Sequence, residues 1–239
     1  MASISDIYCT KVYSQLRPIH AVWPPATVLK LGDYGRRVGA RFERLGSLSD
    51  LSIAVPPCLG NQGSKHIAFS EGASVAIGVN ASVADVGATA TLDVGFGSEY
   101  SIFFNAAGCS TQSIASKNEL GQSLLTNFSF KRDWVVVTDI VRVANFTVAV
   151  SQEKGATLSL QGDGATKLDL KDANVRLHFK SQSKVGYFEV SENRLTPLIG
   201  LCGIRTRWIG ADSLQLFSYG WDDTLDPPHS EAELFFTQV

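Results

Sequence analysis

The chain predicts an α+β fold: a single domain on a twisted, mostly antiparallel sheet, with long hairpins and a few flanking helices. Three observations carry this. Apolar residues recur at every second position through 74–97. An unbroken apolar run, Trp134 to Val137, opens the stretch 134–143 and marks a central strand covered on both faces. Residues 112–128 instead place Ile114, Leu120, Leu124 and Phe128 at helical spacing, with Ser113 as candidate N-cap. The 239 residues are 44% hydrophobic and 18% charged, which suffices for a full core and excludes wholesale disorder.

In chain order, Val12, Leu16 and Ile19 fit a short helix that Pro18 limits. Residues 26–55 read as short strands and turns, with turns at 31–35 and 45–50, and residues 56–65 read as a loop. Val75, Ile77, Val79, Ala81 and Val83 then alternate with small residues. The phase flips near Asp85, and Val86, Ala88, Ala90, Leu92, Val94 and Phe96 form the next row. A one-residue slip turns every side chain to the other face, so the flip marks a turn or bulge. Tyr100, Ile102, Phe104 and Ala106 continue as a third row. After the central strand come Phe146, Val148 and Val150, a turn at 152–155, and Ala156, Leu158 and Leu160. A Gly-Asp-Gly turn at 162–164 leads to Leu168 and Leu170, and then to Val175, Leu177 and Phe179. Leu195 to Leu201 is expected to begin a short helix after Pro197.

The net charge of -2 argues against a constitutive nucleic-acid binder, but it hides a division. All 21 Lys and Arg lie at or before Arg207; of the 23 acidic residues, 17 lie there too and six fall in the last 32 residues. A basic body (1–207) therefore precedes an acidic tail (208–239). Leu234, Phe235 and Phe236 are awkward in free solution and point to a tail that docks on the body. Its removal would leave a cationic surface that anionic lipid attracts.

Catalytic and metal signatures are missing. His20, His66, His178 and His229 lie in no ligand spacing, and the four cysteines form no C-x-x-C pair. Neither a G-x-S-x-G nucleophile elbow nor a phosphate-cradling glycine loop occurs. The reading is therefore not an enzyme, with no catalytic residue, metal or cofactor. No run of about 18 apolar residues exists for a membrane-crossing helix, and the N-terminus lacks secretory-signal features.

A membrane-spanning β-strand needs ~9–11 residues of alternating polarity. Segments 74–84 and 86–97 meet both conditions; 143–151 and 156–180 form a second, more charged set. Two pairs of long strands thus flank a helix, and Val-Val-Val-Thr-Asp-Ile-Val (135–141) opens the second pair. A glycine-punctuated stretch, Gly155 to Gly164, precedes the strand at 174–180. Over residues 70–190 this layout resembles the pore-forming domain of gasdermins, and the length and short tail are most similar to the bacterial members. The resemblance implies a resting cytoplasmic monomer whose C-terminal segment inhibits it. A protease would cut within 207–225. The body would then assemble as a homo-oligomer on anionic lipid of the inner membrane, and 74–108 and 143–180 would unfurl as transmembrane hairpins. Leakage would kill the cell as a defence against phage. The membrane-inserting candidates are Val75, Ile77, Val79, Val83, Val86, Leu92, Val94, Phe96, Phe146, Val148, Val150, Val175, Leu177 and Phe179. Bacterial members carry a lipidated cysteine very near the N-terminus. The nearest candidate here is Cys9, further in than that pattern, and a plain buried thiol is the other reading of it. The alternative function is a soluble β-rich binding or scaffolding module without catalysis.

Overall fold

A computed structural model describes residues 3–80, 89–162, 168–192, 195–205 and 215–218. In order these form α1 (Ile4–Leu16), β1 (His20–Ala21), β2 (Asp33–Val38), β3 (Arg41–Ser47), a 3₁₀ turn (Leu48–Leu51), β4 (Cys58–Glu71), β5 (Ala73–Asn80), β6 (Thr89–Phe96) and β7 (Ile102–Ile114). They continue with α2 (Lys117–Thr126), β8 (Val135–Val143), β9 (Asn145–Ser151), β10 (Thr157–Gly162), β11 (Leu177–Ser183), β12 (Val185–Ser191), β13 (Leu195–Arg205) and β14 (Gln215–Ser218). The strands divide, among the described residues, into a ten-stranded sheet and a four-stranded one, and every pairing is antiparallel. The α+β expectation holds.

The large sheet has the backbone order β1-β13-β8-β7-β9-β12. Alternation along its strands points residues to two different partners. Phe104, Phe146, Val148 and Val150 pack with Tyr8, Cys9 and Val12 of α1. Phe103 and Ala149 pack instead with the small sheet. The β7–β9 region is therefore the middle of three layers: helix, large sheet, small sheet.

Both helices begin on serine caps. The Asp6 amide donates to Ser3 Oγ at 3.2 Å, and the Glu119 amide to Ser116 Oγ at 3.2 Å. Each cap satisfies an N-terminal N–H that the helix leaves unpaired. α1 buries Ser5, Tyr8, Cys9, Val12 and Tyr13, one stripe at helical spacing, and Arg17 turns extended before Pro18. The helix therefore starts at Ile4, well before Val12 where the apolar spacing begins, and ends at Leu16, short of Ile19. α2 buries Leu120 and Leu124 beneath Leu48, Ile53 and Trp134. It is shorter than its apolar spacing implied: Ile114 ends β7, and Phe128 lies beyond the helix, fully exposed.

Three further expectations are corrected. Residues 58–65, read as loop, belong to β4, because β7 supplies a partner along most of its length. Residues 31–35, read as a turn, run into β2 at Asp33. Residues 195–201, read as a helix start, lie in β13. Pro197 is tolerated there because the β13–β8 register shifts between Leu195 and Leu198, leaving no ladder bond for it to donate.

Candidate functional site

The two alternating stretches that stand out in the sequence meet in the small sheet. β5 pairs with β6 and β10 with β11; the two hairpins then join through β6 and β10, giving the order β11-β10-β6-β5. Register sorts the side chains into rows. Ile77, Leu92, Leu160 and Phe179 form one apolar row across all four strands, and Val75, Val94 and Leu158 the next. On the opposite face, Ser74, Gly95, Thr157 and Ser183 make one row and Ala76, Asp93, Ser159 and Ser181 another. Gly78, Thr91, Gln161 and His178 make a third. One face is thus apolar through β5, β6 and β10 and at Leu177 and Phe179 of β11, where Gln182 opposite Leu158 interrupts it, and the other consists of small or polar residues.

The apolar face covers Phe103 and Ala149 of the large sheet, and its middle is sealed: Leu92 and Leu160 are 0% exposed. Its margins overhang. Val75 and Ile77 on β5 are 41% and 49% exposed, and Phe179 on β11 is 53% exposed with its ring stacked on Phe188 at 5.2 Å. The polar face is an open hollow of about 480 Å³ containing Asp93, Ser159, Lys180 and Ser181. Ser159 Oγ donates to Asp93 Oδ1 at 2.6 Å, so the carboxylate has a partner on its own face.

The structure brings together Val75, Ile77, Leu92, Val94, Phe96, Leu177 and Phe179 of the sequence candidates. Val79 is in β5 opposite Ala90. Val175 precedes β11 in a turn closed by its amide on Asp172 O at 3.3 Å. Phe146, Val148 and Val150 lie elsewhere, in β9 against α1. Val83, Val86, the Gly-Asp-Gly turn beyond Gly162, and Leu234, Phe235 and Phe236 lie outside the described residues. Sequence reasoning passed over the joining of the two hairpins. The alternation of Leu158 and Leu160 with Thr157, Ser159 and Gln161 marks a two-faced strand but does not name its neighbour.

Cys9 is 1% exposed within α1, its Sγ 3.8 Å from Ala21 O. Burial, then the charge of Asp6, pushes its thiol up to about 12. A buried, protonated thiol is a poor nucleophile, so acylation at Cys9 requires α1 to lift from the sheet. Burial likewise pushes Cys109 up to about 11 and raises Cys202. Among the described residues no group of His, Cys, Asp or Glu is arranged to hold a metal, and no helix is long and apolar enough to cross a membrane.

The acidic tail is described at one place. β14 lies antiparallel along the C-terminal half of β13, from Cys202 opposite Ser218 to Arg205 opposite Gln215, beside α2. No family model matches the chain, and no curated protein matches it significantly.

Proposed function

We propose that this chain is a pore-forming protein held in a resting monomeric form by its C-terminal segment. A single observation carries the proposal: the two hairpins lie side by side as one sheet with a small, polar face and an opposite face that is apolar but for Gln182 at the β11 edge. A strand in a bilayer must offer one face to lipid and the other to water, and only a closed barrel satisfies every backbone group there. Four strands are too few to close a wide ring, so several copies must contribute. In the resting form the large sheet substitutes for lipid by covering Leu92, Val94, Leu158 and Leu160. β14 gives the tail a backbone ladder onto β13, the attachment a protease would undo. Cutting after 207 removes six acidic residues and no basic one, and leaves a body with 21 basic against 17 acidic residues to meet anionic lipid. In this reading the intact chain resides in the cytoplasm and the cut chain at the inner membrane, where leakage kills the cell.

The test is dye release from vesicles of phosphatidylglycerol and phosphatidylcholine. The full chain should release little, and a chain cut after residue 207 should release most of the dye. No release by any tail truncation would overturn the proposal and leave the β-rich binding module, with the polar hollow as its binding face. Ile77→Asp sharpens the test: half-exposed Ile77 can take a charge in the resting fold, yet a charge facing lipid costs up to ~3 kcal/mol and should abolish release. Leu92→Asp is the poorer probe, because Leu92 is sealed in the resting core.

A further inference from the structure

β10 and β11 are six and seven residues long, short of the ~9–11 that span a bilayer. Residues that could lengthen β11 lie just before it. Ala173 and Val175 continue the apolar row of Leu177 and Phe179, while Asp172, Asn174 and Arg176 continue the polar row of His178. The alternation is that of a strand, but the segment is folded back: Asp172 donates its amide to Asp169 O at 3.0 Å and Val175 to Asp172 O.

Two asparagines of the large sheet hold it there. Asn105, 3% exposed on β7, donates Nδ2 to Leu170 O at 3.3 Å, and its Oδ1 lies 2.8 Å from His66 Nε2, which orients the amide. Asn145, at the start of β9, donates Nδ2 to Ala173 O. Close packing adds a third tie. Gly108 adopts φ +65°, and a Cβ there would stand 2.8 Å from the Ala173 methyl, so the segment lies directly on the β7 backbone.

We propose that residues 168–176 are a latch, in which Asn105 and Asn145 keep as a strap the residues that would otherwise extend β11. The latch rests on the pore-forming reading and adds to it a second restraint besides the tail. Side-chain amides satisfy carbonyls that a lengthened strand would pair with a neighbouring strand. Releasing the strap is therefore the step that exchanges side-chain bonds for ladder bonds.

The experiment uses the full chain with its tail in place, comparing wild type, Asn145→Asp and the Asn105→Ala/Asn145→Ala pair. Asn145→Asp keeps the side-chain volume but turns the amide donor into an acceptor, so it remains informative if the double variant fails to fold. Hydrogen exchange over 168–179 should be about tenfold faster in the variants and unchanged in β8 and β13. Dye release from the same vesicles should rise several-fold above that of the intact wild type. Unchanged exchange overturns the latch. Faster exchange without faster release overturns it as a restraint, provided the wild type cut after 207 does release dye. Absence of release from the cut wild type is instead the failure of the pore-forming reading.

Discussion

The large and small sheets are built from the same kind of alternating strand and treat it differently. In β9 every residue from Phe146 to Ser151 is buried, because α1 covers one face and the small sheet the other. In β6 the alternation is visible: Leu92, Val94 and Phe96 are buried, whereas Asp93 between them is exposed. The centre of the large sheet, at β8 and β9, is committed to its neighbours on both sides, while its outer strands β3 and β4 leave Leu45 and Leu59 in water. The small sheet is committed on one side and along its middle strands, and its edges carry apolar residues in water. A sheet that docks by one face can leave its dock without dismantling its own ladder, and this difference underlies the proposed division into scaffold and moving part.

The sharpest way to break that comparison is to truncate one fully buried side chain in each sheet. Phe104 is 0% exposed, stacked on Phe69 at 5.0 Å and edge-on to Phe146 at 5.3 Å. Phe104→Ala should cost about 4 kcal/mol in urea unfolding. In the small sheet, Leu160→Ala should cost about 3 kcal/mol, and its unfolding should stay in one transition if the two sheets share a core. A separate early transition would show the small sheet melting alone.

Alkaline titration probes the α1 side of the large sheet. The Cys9 thiol is raised by burial from an ordinary 9 to about 12, so its contribution is complete below pH 9 and is lost as pH climbs towards 12. The loss should approach ~1.4 kcal/mol per pH unit in that window, and Cys9→Ala should flatten the slope. Thiol labelling at pH 8 should find Cys58, the exposed cysteine, well ahead of the buried Cys9, Cys109 and Cys202. Rapid labelling of Cys9 would show that α1 does not seal the sheet. Removing the α2 cap with Ser116→Ala should cost about 1 kcal/mol by the same urea measurement. Phe179→Ala should be the mildest, under about 1 kcal/mol, since half of the ring is already in water. A loss there as large as at Phe104 would mean that the small sheet's margin is as firmly held as the core.

How much of this was legible depends on how each residue's environment is determined. Period-two rows at 75–77 and 90–96 announce a two-faced sheet because small polar neighbours separate the apolar residues. The same period at Phe146, Val148 and Val150 is not distinguishable in sequence. Thr147, Ala149 and Ser151 look like a solvent face, yet all three are buried, Ala149 against the small sheet and Ser151 beside Ser98 and Ser101. Likewise nothing in the sequence marks Asn105 or Asn145, whose work on the strap depends on partners 65 and 28 positions away. β4 was illegible because its register comes from β7, and β13 because a bulge, invisible in one strand alone, accommodates Pro197.

By itself the sequence determined the predominance of antiparallel strands, the central strand at 135–143, the two-faced character of the hairpins, and the division of charge between body and tail. These follow from local periodicity and composition, which act over a few residues. Tertiary structure decided which alternating strand is clad on both faces, that the two hairpins share one sheet, and that 168–176 is tied down instead of extended. Each of those outcomes depends on what packs against a segment from far along the chain, and burial is a property of that pairing, not of either segment.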